Sequence, residues 1–273
     1  MKLSVIAINY NNVEGLKHTI ESVISQTYKD FEYIIIDGGS TDGSFDIIKK
    51  YADKITYWVS ESDKGIYNAM NKGVSVAHGE YCQFLNSGDY LYNNRVYDDV
   101  MKEGLTADIC TGDTLFVGGK MFPSPQNITL EYFIRGTLSH PSSFIKKELL
   151  IKEPYDESLK ISSDRKFFMK ECIINNASYK KYKIIVAVFD ITGISSVNYE
   201  VRAKENELIL EELIPKRIIA DYYKFIGKTN DYFNLFYTLY NTPKCWTYYN
   251  LNLLITKIVL FNKSWIKQFK FHS

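Results

Sequence analysis

Residues 34–43 read IIIDGGSTDG, and no other stretch of this 273-residue chain restricts the fold as strongly. Consecutive isoleucines are typical of a strand that is buried on both faces of a parallel sheet. The glycine, serine, threonine and aspartate residues that follow are turn formers. Ligands bind just beyond the carboxyl ends of strands in open α/β sheets, so Asp37 is predicted to lie at a ligand-binding edge.

Short apolar runs alternate with segments of helical periodicity in the amino-terminal third of the chain. Predicted strands cover residues 3–8, 33–36, 55–59 and 81–85, and predicted helices cover 13–27, 45–51 and 65–77. Later the pattern is mixed, with strand candidates at 109–117, 143–145 and 184–189 and a helix candidate at 164–174. The expected fold class is α/β, with a mixed, mainly parallel sheet flanked by helices.

The length favours one large core with a smaller appendage over two equal domains. We place the domain at residues 1–201, with an amino-terminal half at 1–90 and a second half at 91–201. Apolar residues at helical spacing then predict a helical carboxyl-terminal extension at 202–273.

Composition excludes several classes of protein. The chain has 33 basic and 32 acidic residues, so its net charge does not favour a nucleic-acid partner. The 4 cysteines are far apart and form no C-x-x-C pair, which argues against a zinc site or a disulfide framework. No window approaches the ~20 apolar residues of a spanning helix, and the first residues do not resemble a signal peptide. We therefore expect a cytoplasmic protein.

The end of the chain has a charge pattern of its own. No acidic residue follows Asp231, while five lysines occur among many aromatic residues. Such a segment fits a helix that packs on the domain, and it fits equally a helix that lies at a membrane surface. Peripheral contact with the inner face of the cell membrane is thus one expectation for residues 202–273.

Aspartates follow three of the predicted strands, namely Asp37, Asp63 and Asp89. Carboxylates at such an edge can accept hydrogen bonds from a nucleoside or bind a hard divalent cation. The chain has no G-x-x-x-x-G-K-S/T loop and no strand followed by G-x-G-x-x-G, so neither a P-loop ATPase nor an ordinary dinucleotide enzyme is indicated.

Four motifs resemble family 2 glycosyltransferases in order and spacing: SVIAINYNN, IIIDGGSTDGS, SESDKGIYNAMNKG and YCQFLNSGDYL. The later segments LSHPSSFIKK and ISSDRKFF extend the resemblance more thinly. It implies a GT-A fold and inverting transfer from a nucleotide sugar, with a UDP-sugar favoured. The implied acceptor is a saccharide or lipid-linked saccharide in surface polysaccharide synthesis, bound by the half at 91–201.

The resemblance implies a role for each matching residue on the donor side. Tyr10 would pack on the nucleobase, with the backbone of Asn9 beside it, and Asp37 would accept a hydrogen bond from the base. Further donor contacts would come from the segment after the third strand, where a glycine allows a tight turn into the helix. These residues are Asp63, Lys64 and Gly65.

Asp89 resembles the last aspartate of the family's D-x-D motif, which binds a divalent cation, Mg²⁺ or Mn²⁺. The loop reads Asn86-Ser87-Gly88-Asp89, so the first acidic position is not acidic here. Ser87 and Gly88 are expected to contact the donor, and Asp89 is expected to be the carboxylate ligand. One carboxylate with substrate phosphates and waters can still hold magnesium.

Inverting transfer needs a base, and Asp164 in SSDR matches the family's catalytic aspartate at the start of a helix. The helix dipole would favour its charged form. His140, in the family-like context HPSSF, would lie on the acceptor side near the diphosphate or the metal.

Two alternatives remain open. The non-acidic residues before Asp89 allow a degenerate homologue that binds a nucleotide sugar without turnover. A sugar nucleotidyltransferase shares the nucleotide-binding half-fold, but it would need an early Gly-rich loop with arginine, and this chain has INYNN there.

Overall fold

The computed structural model describes residues 2–191 and 198–224. Nine strands form one sheet, and helices of the α type flank it. The strands are β1 Leu3–Asn9, β2 Phe31–Asp37, β3 Tyr57–Ser60, β4 Tyr81–Asn86, β5 Tyr90–Leu91, β6 Ile109–Phe116, β7 Met121–Phe122, β8 Ser143–Lys146 and β9 Tyr179–Phe189. The helices are α1 Val13–Ile24, α2 Ser44–Lys50, α3 Ile66–Val76, α4 Val96–Glu103, α5 Leu130–Arg135, α6 Lys147–Lys152, α7 Ser163–Met169 and α8 Tyr199–Leu213.

The first half of the sheet is parallel and has the strand order β3-β2-β1-β4. Asn9 pairs with Asp37 and Ile8 pairs with Asn86, so β1, β2 and β4 end at the same edge. All seven residues of β1 are buried. This matches the apolar runs in the sequence, because a central parallel strand has no face in contact with water.

The second half makes the sheet mixed. Strand β8 is antiparallel to both β4 and β6, whereas β6 and β9 are parallel. The short β5 pairs antiparallel with β9. The predicted fold class, α/β with a mixed, mainly parallel sheet, is confirmed.

Helix α3 packs closely on the parallel strands because of one glycine. A Cβ atom on Gly73 would lie 2.4 Å from Cγ2 of Ile6 in β1. Real Cβ atoms do not approach so closely, so only glycine permits this separation between helix and strand. The packing matters for function, since the residues that precede α3 lie at the sheet edge.

The chain divides into two compact units, residues 1–213 and 214–273. The first contains the whole sheet together with α8. The domain edge at residue 201 stays a prediction. In the second, residues 216–224 are helical. The predicted interfacial helix lies outside the described residues. Within residues 2–191 and 198–224, no helix is both long and apolar enough to cross a membrane.

Candidate functional site

The ends of β1, β2 and β4 are joined by side-chain hydrogen bonds. The Nδ2 atom of Asn9 donates to Oδ1 of Asp37 at 2.6 Å. The Oδ1 atom of Asn9 accepts from the Ser87 hydroxyl, also at 2.6 Å. Asn9 is 1% exposed, so this side chain links the three strands from inside the sheet. Its predicted place beside the base pocket remains a prediction.

Asp37 lies behind the edge and is fully buried. Its carboxylate accepts hydrogen bonds from Asn9, from the hydroxyl and backbone N–H of Ser40, and from the Ser60 hydroxyl. Burial alone would raise the pKa of Asp37, but these hydrogen bonds outweigh burial and lower it. Both oxygens are therefore occupied by protein donors, and the charged carboxylate orders the turn that follows β2.

The open face of the same edge is formed by Tyr10, Gly38 and Asp63. The Tyr10 side chain is 66% exposed, although it directly follows a completely buried strand. A Cβ atom on Gly38 would lie 3.1 Å from the Tyr10 ring and 2.7 Å from Oδ2 of Asp63. The bare backbone of Gly38 thus lies between an aromatic ring and a carboxylate, an arrangement that suits a flat ring with polar edges.

The turn into α3 is held by Asp63. Its Oδ1 atom accepts from the backbone N–H of Gly65 at 2.8 Å. Gly65 has a φ of 117°, which side-chain-bearing residues rarely adopt. Lys64 is exposed between them, and its backbone N–H donates to Oδ1 of Asn68 on the helix. A flexible lysine next to a helix start can reach an anionic ligand.

The loop after β4 is fixed through its backbone. The Thr19 hydroxyl donates to the carbonyl of Asp89 at 2.7 Å and accepts from the N–H of Gly88 at 3.1 Å. The carbonyl of Ser87 accepts from Nδ2 of Asn12 at 2.9 Å. The Ser87 hydroxyl already donates a hydrogen bond to Asn9. Ser87 would therefore contribute to a ligand site through the fixed position of its backbone, and not by donating its hydroxyl proton.

Asp89 is buried, with an exposed fraction of only 2%. Its Oδ1 atom accepts from the backbone N–H of Asp190 at 2.9 Å. Its Oδ2 atom has no hydrogen-bond partner among the described residues. Burial raises the pKa of Asp89 to about 7. A buried carboxylate with one unsatisfied oxygen fits a divalent cation, which supplies the charge and the contact that the protein does not.

Asp190 is a residue that the sequence interpretation missed. A Cβ atom on Gly88 would lie 2.5 Å from Oδ2 of Asp190, so this carboxyl group adjoins the β4 loop. The signal was present, because Asp190 follows the predicted strand at 184–189 as Asp37 follows its own strand. Among the described residues, no three His, Cys, Asp or Glu side chains gather as a group that could hold a metal ion. A cation at Asp89 would therefore need oxygen ligands from a substrate.

Asp164 lies in the first turn of α7, as predicted, and is partly buried. The hydroxyl of Tyr67, from the first turn of α3, lies 3.1 Å from its Oδ1 atom and donates to it. Burial raises the pKa of Asp164 to about 6, against the effects of hydrogen bonds and of the nearby Arg165. Such a carboxyl group is charged at neutral pH yet basic enough to accept a proton.

The backbone segment before α7 is held by a residue that the sequence analysis did not identify. Glu205 of α8 is buried, and its carboxylate accepts from three successive backbone N–H groups. The donors are Lys160 at 2.6 Å, Ile161 at 3.0 Å and Ser162 at 2.9 Å. Helix α8 thereby fixes the segment from which Asp164 projects. A buried glutamate on a helix carries no local sequence signal for this role.

His140 lies in an aromatic cluster and not at an open surface. Its ring stacks on Phe84, and its Nε2 atom is 2.8 Å from the Tyr155 hydroxyl. Burial lowers the pKa of His140 to about 3, so the ring is neutral. These contacts favour a packing role for His140 over direct contact with an acceptor or a metal. Its predicted acceptor-side role remains untested.

The sequence of the chain matches the family described as glycosyl transferase family 2 over residues 4–147. An uncharacterized glycosyltransferase of Mycobacterium tuberculosis is 30% identical over 203 residues, which cover 71% of this chain and 77% of the relative. Another, from Methanocaldococcus jannaschii, is 31% identical over 240 residues, or 81% and 77% of the two chains.

Solved structures show the same fold. S. aureus TarS 1-349 in complex with UDP gives a TM-score of 0.60 at 25% sequence identity, over 70% of this chain and 60% of that chain. This protein thus spans less than two thirds of the solved TarS chain. TarS 1-349 has also been solved in complex with UDP-GlcNAc, with the same TM-score and identity.

Proposed function

Because this chain belongs to glycosyl transferase family 2, we propose that it moves a sugar, with inversion, from a UDP-sugar to a hydroxyl group of a saccharide or lipid-linked saccharide. One observation carries the proposal. Asp164 is bound by Tyr67 of α3, the helix that begins directly after the predicted donor contacts Asp63, Lys64 and Gly65. The candidate base is thus tied to the donor side of the site.

The nucleobase would bind at the open face of the sheet edge. Tyr10 offers an exposed ring for stacking, Gly38 offers backbone without a side chain, and Asp63 offers a carboxylate oxygen at the rim. The likeness to TarS, which binds UDP and UDP-GlcNAc in its solved complexes, favours uracil. Lys64 and the loop at Ser87 and Gly88 would then lie towards the diphosphate.

In this proposal Asp37 does not contact the base directly, although the resemblance implies such a contact. Its oxygens are filled by Asn9, Ser40 and Ser60. It would therefore act as a positioning residue, which holds the Gly38 backbone in place behind the base. A base contact by Asp37 itself would require one of these hydrogen bonds to break.

A divalent cation, Mg²⁺ or Mn²⁺, would be held by Asp89 together with donor phosphate oxygens. The unsatisfied Oδ2 atom of Asp89 supports this assignment. When bound, such a cation neutralises charge on the diphosphate that leaves.

Asp164 would accept the proton of the acceptor hydroxyl. As that oxygen forms its bond to the anomeric carbon, the bond between this carbon and the diphosphate oxygen breaks, and the nucleoside diphosphate leaves with the electron pair. The pKa of about 6 leaves Asp164 mostly deprotonated at neutral pH. The acceptor-side residues 91–201 would bind the saccharide, in a surface-polysaccharide pathway at the cytoplasmic face of the membrane.

Two measurements test the proposal. Purified protein is screened for hydrolysis of, and transfer from, common UDP- and GDP-sugars, and UDP binding is measured by calorimetry. Asp164→Asn should bind UDP as the wild type does and lose turnover, whereas Asp53→Asn, the same change at an exposed aspartate, should retain turnover. Near-normal turnover of Asp164→Asn would remove Asp164 from the mechanism.

A non-catalytic homologue is the second candidate, and the non-acidic Ser87 and Gly88 before Asp89 favour it. It predicts that the wild type binds UDP but shows no hydrolysis or transfer with any donor. If the protein binds no nucleotide sugar, nucleotide or nucleoside diphosphate, both candidates are wrong.

A further inference from the structure

The loop at the end of β4 carries one acidic side chain where a carboxylate pair would bind a cation more firmly. Ser87 and Gly88 precede Asp89, and the Ser87 hydroxyl is bonded to Asn9. Magnesium and manganese accept oxygen ligands, and each added carboxylate contributes charge as well as a ligand. A second carboxylate would thus have to come from another part of the chain.

The sheet brings such a group to the loop. Strand β5 pairs antiparallel with β9, with Tyr90 opposite Val188. Continuing the same register places Gly88 opposite Asp190. The contacts agree, because the backbone N–H of Asp190 donates to Oδ1 of Asp89 at 2.9 Å. The two aspartates are therefore held together by main-chain geometry, although 101 residues separate them in the sequence.

Gly88 makes room for the second carboxyl group. A Cβ atom at this position would lie 2.5 Å from Oδ2 of Asp190 and 3.1 Å from its Cβ atom. The side chain of Asp190 thus occupies space that any side chain on residue 88 would need. Gly88 in the β4 loop and Asp190 at the end of β9 are therefore sterically matched.

The adjoining aspartates leave a polar atom unsatisfied. Oδ2 of Asp89 is buried and has no hydrogen-bond partner among the described residues. Buried polar atoms of this kind call for an explanation, and a bound ion is a common one. Two adjacent carboxylates repel each other unless a cation lies between or beside them.

We propose that Asp190 is the second carboxylate ligand of the divalent cation bound by Asp89, and that it replaces the acidic side chain absent from residues 86–88. This inference rests on the proposed function, because phosphate oxygens of the donor complete the coordination. Two carboxylates with phosphates and water match the ligand set that Mg²⁺ and Mn²⁺ take in nucleotide-dependent enzymes.

The test measures nucleotide and metal binding, without turnover. Calorimetry with UDP and with GDP, each with and without MnCl₂, is performed on wild type, Asp190→Asn and Asp190→Ala. Free Mn²⁺ is counted in parallel by electron paramagnetic resonance. Asp53→Asn, a change to an exposed aspartate, is the matched control, and thermal unfolding checks that each variant is folded.

In the wild type and in Asp53→Asn, Mn²⁺ should tighten nucleotide binding. Both Asp190 variants should bind nucleotide without metal as the wild type does. The factor by which Mn²⁺ increases their nucleotide affinity should be smaller than in the wild type by about tenfold or more. An undiminished gain in folded Asp190 variants would overturn the inference and leave the transferase proposal standing. Nucleotide binding without any metal dependence in the wild type would overturn it as well. Absence of nucleotide binding altogether would instead refute the proposed function.

Discussion

The Tyr67 hydroxyl lies 3.1 Å from the Asp164 carboxylate, although 97 residues separate the two in the sequence. The single proton of the Tyr67 hydroxyl is shared with the carbonyl of Ile161, which is the nearer acceptor and lies in the segment held by Glu205. The base is therefore fixed from two directions, by α3 on the donor side and by the backbone before its own helix. Such support is what a general base needs, because proton transfer depends on its position within fractions of an ångström.

The activity of the wild type should fall as the pH is lowered through about 6. Only the deprotonated Asp164 can accept a proton, and its pKa is raised to about 6 by burial. At saturating MnCl₂, which displaces the proton from Asp89, kcat/KM should thus be constant near neutral pH and decline about tenfold per pH unit well below the pKa of Asp164. An initial-rate profile between pH 5 and pH 8 measures this, and a flat profile would contradict the assignment.

Tyr67→Phe should move that acidic limb to higher pH. The hydroxyl stabilises the charged form of Asp164, so its loss should raise the pKa of Asp164 by about half to one unit. The same profile, compared between the two proteins, tests this. Tyr57→Phe, which removes an exposed hydroxyl from β3, should leave the profile unchanged. An unshifted limb in Tyr67→Phe would show that the hydrogen bond does not tune Asp164.

Tyr10→Ala should weaken donor binding through lost stacking. Stacking of a base on an aromatic ring contributes about 1–3 kcal/mol, so the dissociation constant for UDP should rise by roughly five- to 150-fold. Tyr10→Phe keeps the ring and should bind as the wild type does. Calorimetry of each variant with UDP measures this, and Tyr57→Ala serves as a control because that ring is also exposed, on β3 of the same sheet. Equal affinity in Tyr10→Ala would place the base elsewhere.

Glu205→Gln should slow turnover without changing UDP affinity. The glutamine amide nitrogen cannot accept, so at least one of the N–H groups of residues 160–162 loses its partner and the segment before Asp164 loosens. Hydrogen exchange at these amides should speed up, and kcat should fall. Glu207→Gln, on an exposed position of the same helix, is the control. Unchanged exchange at residues 160–162 would count against this role.

Asp37→Asn should destabilise the fold by about 3 kcal/mol, because a charged acceptor of several buried hydrogen bonds is replaced by a group with only one acceptor oxygen. The folded pKa of Asp37 is lowered, so its contribution is present above the unfolded value of 3.8 and is lost as the pH falls through the folded value. Denaturant unfolding at pH 7 and in steps below pH 4 should show the wild type losing more stability on acidification than the variant. Equal losses would indicate that Asp37 is uncharged or unpaired.

The local pattern of the chain was sufficient to predict the parallel half of the sheet. Apolar runs such as residues 34–36 and the helical spacing after Asn12 depend on near neighbours, so they can be read without a fold. The edge at which Asp37, Asp63 and Asp89 follow their strands comes from the same rule, since parallel strands end on the same side. For residues 225–273, the helical extension stays a prediction from sequence.

What the sequence determined by itself, then, is the parallel half of the sheet, its edge and three of the aspartates along that edge, Asp37, Asp63 and Asp89. The tertiary structure decided their chemistry: it buried Asp37 behind donors, placed Tyr67 on Asp164 and brought Asp190 to Gly88. These outcomes depend on contacts between residues far apart in the chain. A carboxylate's charge, partners and accessibility are set by whatever packs against it, and that environment exists only in the folded state.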